Sequence, residues 1–172
     1  MSNIFLTGYR ATGKTTVANL IADAMGKKAI DADVYLEQKA GMTIAEIFAE
    51  EGEQGFRDRE TDVVQELAAR ENMVVALGGG AILRKENCDA LKGRGIIVWL
   101  TASAKVIDQR MNTDPLTGQR RPNLTSDGGL QEVQELLAKR TPFYQAVADV
   151  RVDTEQLSPI EVAVEVVNKI TS

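Results

Sequence analysis

The sequence predicts an α/β fold, a three-layer sandwich in which a central parallel sheet carries helices on both faces. Three observations predict it. Short apolar runs alternate with helical patterns along all 172 residues, an order that places crossover helices between parallel strands. The first run leads through a glycine-rich turn directly into a helix. The later runs are apolar and β-branched, as strands buried on both faces must be.

Taken in order, Ile4-Phe5-Leu6 reads as the first buried strand, and Gly8-Tyr9-Arg10-Ala11-Thr12-Gly13-Lys14-Thr15 follows it. That stretch satisfies G-x-x-x-x-G-K-[ST] at every required position. From Val17 on, apolar residues recur at Leu20, Ile21, Ala24 and Met25, one face of a helix. Strand, glycine turn and helix are the context the motif needs. Its glycines let backbone N–H groups curl around phosphate oxygens, and the new helix adds unpaired N–H groups and the positive end of its dipole. Lys14 would reach the β- and γ-phosphates, and the Thr15 hydroxyl would sit on Mg²⁺. A nucleoside triphosphate is therefore the expected ligand, and the sandwich is expected to be of the P-loop NTPase type.

Gly26 predicts a helix end, Lys28-Ala29-Ile30 a short strand, and Val34 to Lys39 a short helix ending at Gly41. Thr43 with Glu46 is a capping box opening a helix with Ile44, Ile47 and Phe48 inward. After Gly52 a second helix places Phe56, Val63, Val64 and Leu67 on one side. Met73 to Leu77 predicts a strand running into Gly78-Gly79-Gly80, and Ile96 to Leu100 the clearest central strand. Ser103 caps a helix reaching Arg110 and Met111. The segment from Asn112 to Gly129 breaks the rhythm with two prolines and three glycines, and a loop of that length inside a compact domain predicts either a lid or a disordered stretch. A helix with Leu130, Val133, Leu136 and Leu137 is expected to end before Pro142. Val150-Arg151-Val152 predicts the last strand, and Ser158 with Pro159 an N-cap and first-turn pair. The expected organisation is one kinase domain over 1–172, with an acceptor-binding region at about 32–60 and the lid at about 112–129.

Composition narrows the chemistry. A net charge of −5 gives no overall basic surface for nucleic acid or anionic membrane. The single cysteine, Cys88, excludes an internal disulfide. Histidine is absent, which removes Ser-His-Asp and Cys-His mechanisms and leaves proton transfer to carboxylates, lysines or water. With no signal-peptide layout and no apolar run of transmembrane length, a cytoplasmic location is expected.

Several polar residues stand out. Asp31 and Asp33 follow a strand one residue apart, so in extended chain both point the same way. One carboxylate then holds Mg²⁺ through water while the other meets an acceptor hydroxyl, or the two are a solvated turn pair. The strand Met73 to Leu77 ends in glycines where a Walker B aspartate would stand, so the metal needs a carboxylate from elsewhere. Gly78-Gly79-Gly80 costs conformational entropy, which suggests backbone close to a ligand; a plain turn is the alternative. Arg57 lies beside an inward Phe56, and Arg140 closes a helix. Either is a surface arginine or a two-pronged grip on a carboxylate. Arg121, on the lid, either closes over the γ-phosphate or, like Arg120, solubilises a loop.

Together these markers resemble the shikimate kinase family. They are Gly8–Thr15, Asp31-Ala32-Asp33, Phe56-Arg57 with Glu60, Gly78-Gly79-Gly80, Arg121-Pro122 and Arg140 with Tyr144, and they span the chain. The resemblance implies sheet order 2-3-1-4-5 and transfer of the γ-phosphoryl group of ATP to the 3-hydroxyl of shikimate, on the route to chorismate and aromatic amino acids. It implies ATP and Mg²⁺ at Ala11, Thr12, Gly13, Lys14, Thr15 and Thr16, with Asp31 near the metal. It further implies Arg110 and the segment from Asp153 to Pro159 beside adenine, and Arg121 over the phosphates. Asp33 is implied on the acceptor hydroxyls, and Arg57 and Arg140 on its carboxylate with the backbone of Gly79 and Gly80. Lys14, Asp33 and Arg121 are the implied catalytic set. ATP and shikimate are the expected partners, nucleic acid and membrane are not, and a monomer is expected. One departure is the loop itself, since Tyr9-Arg10-Ala11-Thr12 is bulkier than the small residues often found there, and Arg10 is expected to add a phosphate or surface contact. The segment Asp114–Gln119 and the glycines Gly128-Gly129 are also less familiar.

Overall fold

The computed structural model of the chain describes residues 2–113 and 128–172. Five strands form one sheet: β1 (Asn3–Thr7), β2 (Lys28–Asp31), β3 (Met73–Ala76), β4 (Gly95–Thr101) and β5 (Val150–Asp153). Their order is β2-β3-β1-β4-β5, every pairing parallel. Helices α1 (Lys14–Met25), α2 (Ala32–Ala40), α3 (Ile44–Ala68), α4 (Lys85–Leu91), α5 (Ala104–Thr113), α6 (Gly129–Val147) and α7 (Pro159–Thr171) make the outer layers, and a short 3₁₀ turn covers Ala81–Leu83.

Strand alternation divides the core in two. Ile4, Leu6, Val74, Ala76, Val98, Leu100 and Val152 face α1 and α7, meeting Val17, Ile21, Val162 and Val166. Phe5, Val75, Leu77, Ile97 and Trp99 face the other way, against Leu36, Phe56, Val64, Leu67 and Tyr144. Burying one such side chain contributes about 1.5–3 kcal/mol, so the sheet is held from both faces. A smaller cluster of Tyr9, Ile107 and Val133 joins the phosphate loop to α5 and α6.

Helix ends follow local chemistry. Thr43 and Ser158 both make full capping boxes, with Glu46 and Glu161. The long α3 bends at Gly52, whose φ of 72° and ψ of −178° are not helical, so the two helices expected on either side of Gly52 are present, joined at a kink. The helix expected over 34–39 is longer, Ala32–Ala40, because the Asp31 side chain caps it. The helix expected to stop before Pro142 does not; α6 runs on to Val147 with Pro142 inside and Arg140 well within it. Tertiary anchors outweigh the lost backbone bond here. Tyr144 is fully buried, stacks on Trp99 with ring centroids 5.6 Å apart, and donates its O–H to the Gly79 carbonyl at 2.6 Å. Most of the expected lid, including Arg120 and Arg121, lies outside the described residues. No described helix is long and apolar enough to cross a membrane.

Candidate active site

The phosphate loop sits where β1 ends, packed between β3 and β4. Gly8 has a φ of +142°, and a Cβ there would lie 2.4 Å from the Leu100 carbonyl oxygen, so the turn closes against β4 only with glycine. Inside the loop, the buried Thr12 hydroxyl donates to the Tyr9 carbonyl at 2.8 Å. Lys14 Nζ donates to the carbonyls of Gly8 and Tyr9 at 2.6 and 2.9 Å, which holds the ammonium within the curl of backbone. Gly13 caps α1 without a side chain, and the first turn of α1 carries no acid. Helices α2, α3 and α7 by contrast receive side-chain oxygens from their caps. The positive end of α1 thus has no built-in anion, which suits it to an external one.

Thr15, one residue into α1, donates its hydroxyl to Asp31 Oδ2. The other oxygen, Oδ1, accepts from the backbone N–H groups of Asp33 and Val34 at 2.9 and 3.1 Å. This corrects the extended reading of the aspartate pair. Asp31 ends β2 and caps α2, while Asp33 already lies in the first helical turn, so the two carboxylates do not project as alternate residues of a strand. The physical reason is the side-chain cap, which makes the chain turn at Asp31. The structure therefore brings Thr15 and Asp31 together, two oxygen donors of the kind Mg²⁺ accepts beside phosphate.

Gly79 and Gly80 are the meeting point of the second half of the site. A Cβ on Gly80 would lie 2.5 Å from Arg57 Nη1, and one on Gly79 would lie 3.3 Å from both Arg140 Nη1 and the Gly8 carbonyl oxygen. The two arginines thus bracket the glycine turn, and the turn touches the start of the phosphate loop. Arg57 and Arg140 are 8% and 3% exposed. Arg57 is oriented by Glu60 at 2.8 Å and by Glu53 at 3.6 Å, and its guanidinium packs 5.1 Å from the Phe56 ring centroid. Arg140 lies 5.3 Å from the Tyr9 ring centroid. Among the described residues, Arg57 Nη2 and Arg140 Nε have no hydrogen-bond partner. Buried donors left unsatisfied are costly, and two guanidinium N–H groups around one small turn are suited to an incoming carboxylate.

On the far side of the loop, Arg110 donates to the Ala11 carbonyl at 3.1 Å and to the Thr154 hydroxyl and carbonyl at 3.0 and 3.1 Å. It ties the loop to the segment before α7. In that segment Ser103 hydrogen-bonds Glu155 and holds its carboxyl below the usual carboxylate range. Arg10 is not a surface residue: only 10% of its side chain is exposed, and it pairs with the buried Glu132 of α6 at 3.3 Å. Sequence reasoning missed Glu132, Trp99 and the roles of Tyr9 and Tyr144. Tyr9 carried a signal in its bulk within a phosphate loop, and Tyr144 in its place beside Arg140 among the family markers.

The loop, the uncapped helix end and the sheet order define a P-loop kinase. The profile of the shikimate kinase family matches residues 10–171. The chain is 43% identical to the shikimate kinase of Rhodopirellula baltica, over 95% of this chain and 88% of that one. It is 42% identical to that of Symbiobacterium thermophilum, over 98% and 95%. Among solved structures, it is similar to the shikimate kinase of Acinetobacter baumannii in complex with shikimate, with a TM-score of 0.93 and 38% identity over 99% and 93% of the two chains. A gluconokinase from Sinorhizobium meliloti, at 21% identity over 99% and 91% and a TM-score of 0.64, shares the fold alone. This chain belongs to the shikimate kinase family.

Proposed function

We propose that this protein transfers the γ-phosphoryl group of ATP to the 3-hydroxyl of shikimate, giving ADP and shikimate 3-phosphate. The observation that carries the reading is the pair of buried arginines bracketing Gly79 and Gly80, next to a phosphate loop. A donor site and a carboxylate site in contact suit a kinase acting on a small hydroxy acid. In this reading Arg57 and Arg140 hold the acceptor carboxylate with the glycine backbone, and Asp33 orients the hydroxyl to be phosphorylated.

On the donor side, the backbone of Ala11 to Thr16 cradles the phosphates. Lys14 exchanges its loop carbonyls for phosphate oxygens, Arg110 and Pro159 flank the base, and Arg121 is assigned to the γ-phosphate by the family resemblance alone. Mg²⁺ fits the residues present, since the Thr15 hydroxyl and the Asp31 carboxylate are adjacent hard donors. Among the described residues no group of three or more His, Cys, Asp or Glu side chains is placed to hold a metal ion by itself. When bound it neutralises charge on the phosphates, and the rest of the work is positioning.

The test is coupled ADP release from MgATP with and without shikimate, with gluconate and quinate as controls. Stimulation by shikimate alone is the expected result. Stimulation by gluconate in its place, or none with ATP still bound, would overturn the acceptor assignment and leave the phosphate loop standing.

A further inference from the structure

We propose that Arg10 is a positioning residue for acceptor binding: its ion pair with Glu132 holds α6, the helix carrying Arg140 and Tyr144, in register against the phosphate loop. This deepens the reading above and rests on Arg140 gripping the acceptor carboxylate.

Arg10 occupies a variable position of the loop motif, yet its side chain is not solvated. Arg10 Nη2 lies 3.3 Å from Glu132 Oε2, with 10% and 1% of the two side chains exposed. A buried ion pair stabilises a fold poorly, because desolvating two charges offsets most of their attraction. Its better-attested use is to fix one register among several of similar energy. The neighbours show which register that is. Tyr9, fully buried, packs against Val133, the residue after Glu132. The guanidinium groups of Arg10 and Arg140 lie 5.7 and 5.3 Å from the Tyr9 ring centroid.

Helix α6 therefore meets the loop at two levels, at Glu132 and Val133 and again at Arg140. Eight residues separate Glu132 from Arg140, about 12 Å along a helix. Further on, Tyr144 bonds the Gly79 carbonyl. Between these anchors Pro142 removes one of the helix's own backbone bonds, so external contacts fix the position of Arg140 more than they would in an uninterrupted helix. Releasing Glu132 from Arg10 loosens the N-terminal anchor, leaving the Tyr9–Val133 packing to hold it, and lets Arg140 shift relative to the glycine turn. The phosphate-binding backbone is less affected, because Thr12, Lys14 and Arg110 hold it independently.

The test compares R10M, E132Q, the apolar double variant R10M/E132L and the swap R10E/E132R in steady-state kinetics, with R140A as reference. Loss of one net hydrogen-bonded pair predicts a shikimate KM raised about three- to tenfold in R10M and E132Q, while kcat and the KM for ATP stay near wild type. R10M/E132L guards against misfolding from a buried pair stripped of one charge; it should melt like the wild type and still show the raised KM. The swap should recover most of the loss. Trp99 is the only tryptophan and stacks on Tyr144, so its emission should shift in R10M and return in the swap. A KM for ATP that rises in step with that for shikimate, unchanged shikimate KM values, or a swap with no recovery would each overturn the positioning role. An R140A effect without an R10M effect would overturn it while leaving Arg140 as a carboxylate ligand. An R140A variant with normal shikimate KM would remove that reading and this proposal with it.

Discussion

Gly80→Ala isolates the acceptor site from the rest of the fold. The backbone at Gly80, with φ −100° and ψ 4°, is open to alanine, so the substitution carries little conformational strain. Its whole effect is steric. The added Cβ would stand 2.5, 2.6 and 2.7 Å from Nη1, Nη2 and Cζ of Arg57. Ordinary contact begins at 3.4 Å, so the guanidinium must retreat by about 0.9 Å. It is the end of a flexible side chain and can move, at the expense of its 2.8 Å bond to Glu60. A guanidinium displaced that far loses a charged hydrogen bond to a carboxylate, about 1.5–3 kcal/mol, or about ten- to 150-fold in shikimate KM. Gly79→Ala is the internal comparison. Its Cβ would sit 3.3 Å from Arg140 and from the Gly8 carbonyl, close enough for a small adjustment to absorb, so its effect should be several times weaker. The assay is steady-state KM for shikimate and for ATP in both variants, with thermal melting as the fold control. A folded Gly80→Ala protein whose shikimate KM stays at the wild-type value would refute the placement of Arg57 on the acceptor.

Lys14→Ala and Asp33→Ala should each lower turnover by about a hundredfold or more, the scale of losing one transition-state donor, while melting stays near wild type; near-normal turnover in either purified variant would sink that residue's role. Gly8→Ala should destabilise the fold by at least about 1–3 kcal/mol, since the φ of +142° and a backbone oxygen at 2.4 Å leave nothing to yield; urea denaturation measures it. At the surface, the Glu66 carboxyl is lowered from 4.5 to about 2, chiefly by the bond from Lys39 and then by those from Tyr35 and Arg70. Its pKa is depressed on folding, so the stability it adds is present above pH 4.5 and fades as pH falls toward 2. With 36% of the Glu66 side chain exposed, the contribution should be small. The melting difference between wild type and Glu66→Gln should shrink across that interval, and a difference constant with pH would contradict the network.

The sequence alone determined the elements whose cause is local. The phosphate loop was legible because backbone cradling needs particular residues at fixed spacing, and the capping box at Thr43 and the N-cap at Ser158 because each closes within three residues. The alternation of buried strands and amphipathic helices gave the α/β class for the same reason. Tertiary structure decided what depends on residues far apart in the chain. Asp31 looked like half of an extended pair, yet its bond to Thr15 and its cap on α2 turn it toward α1. Pro142 read as a helix end, but Trp99 and the Gly79 carbonyl hold Tyr144 and carry α6 past it. Arg57 and Arg140, 83 positions apart by number (140 − 57), could each have been a surface arginine; only the fold packs both against neighbouring glycines. Glu132 left no mark in the sequence at all, because an acid on a helix is ordinary until its partner, Arg10, is brought to it through the interior.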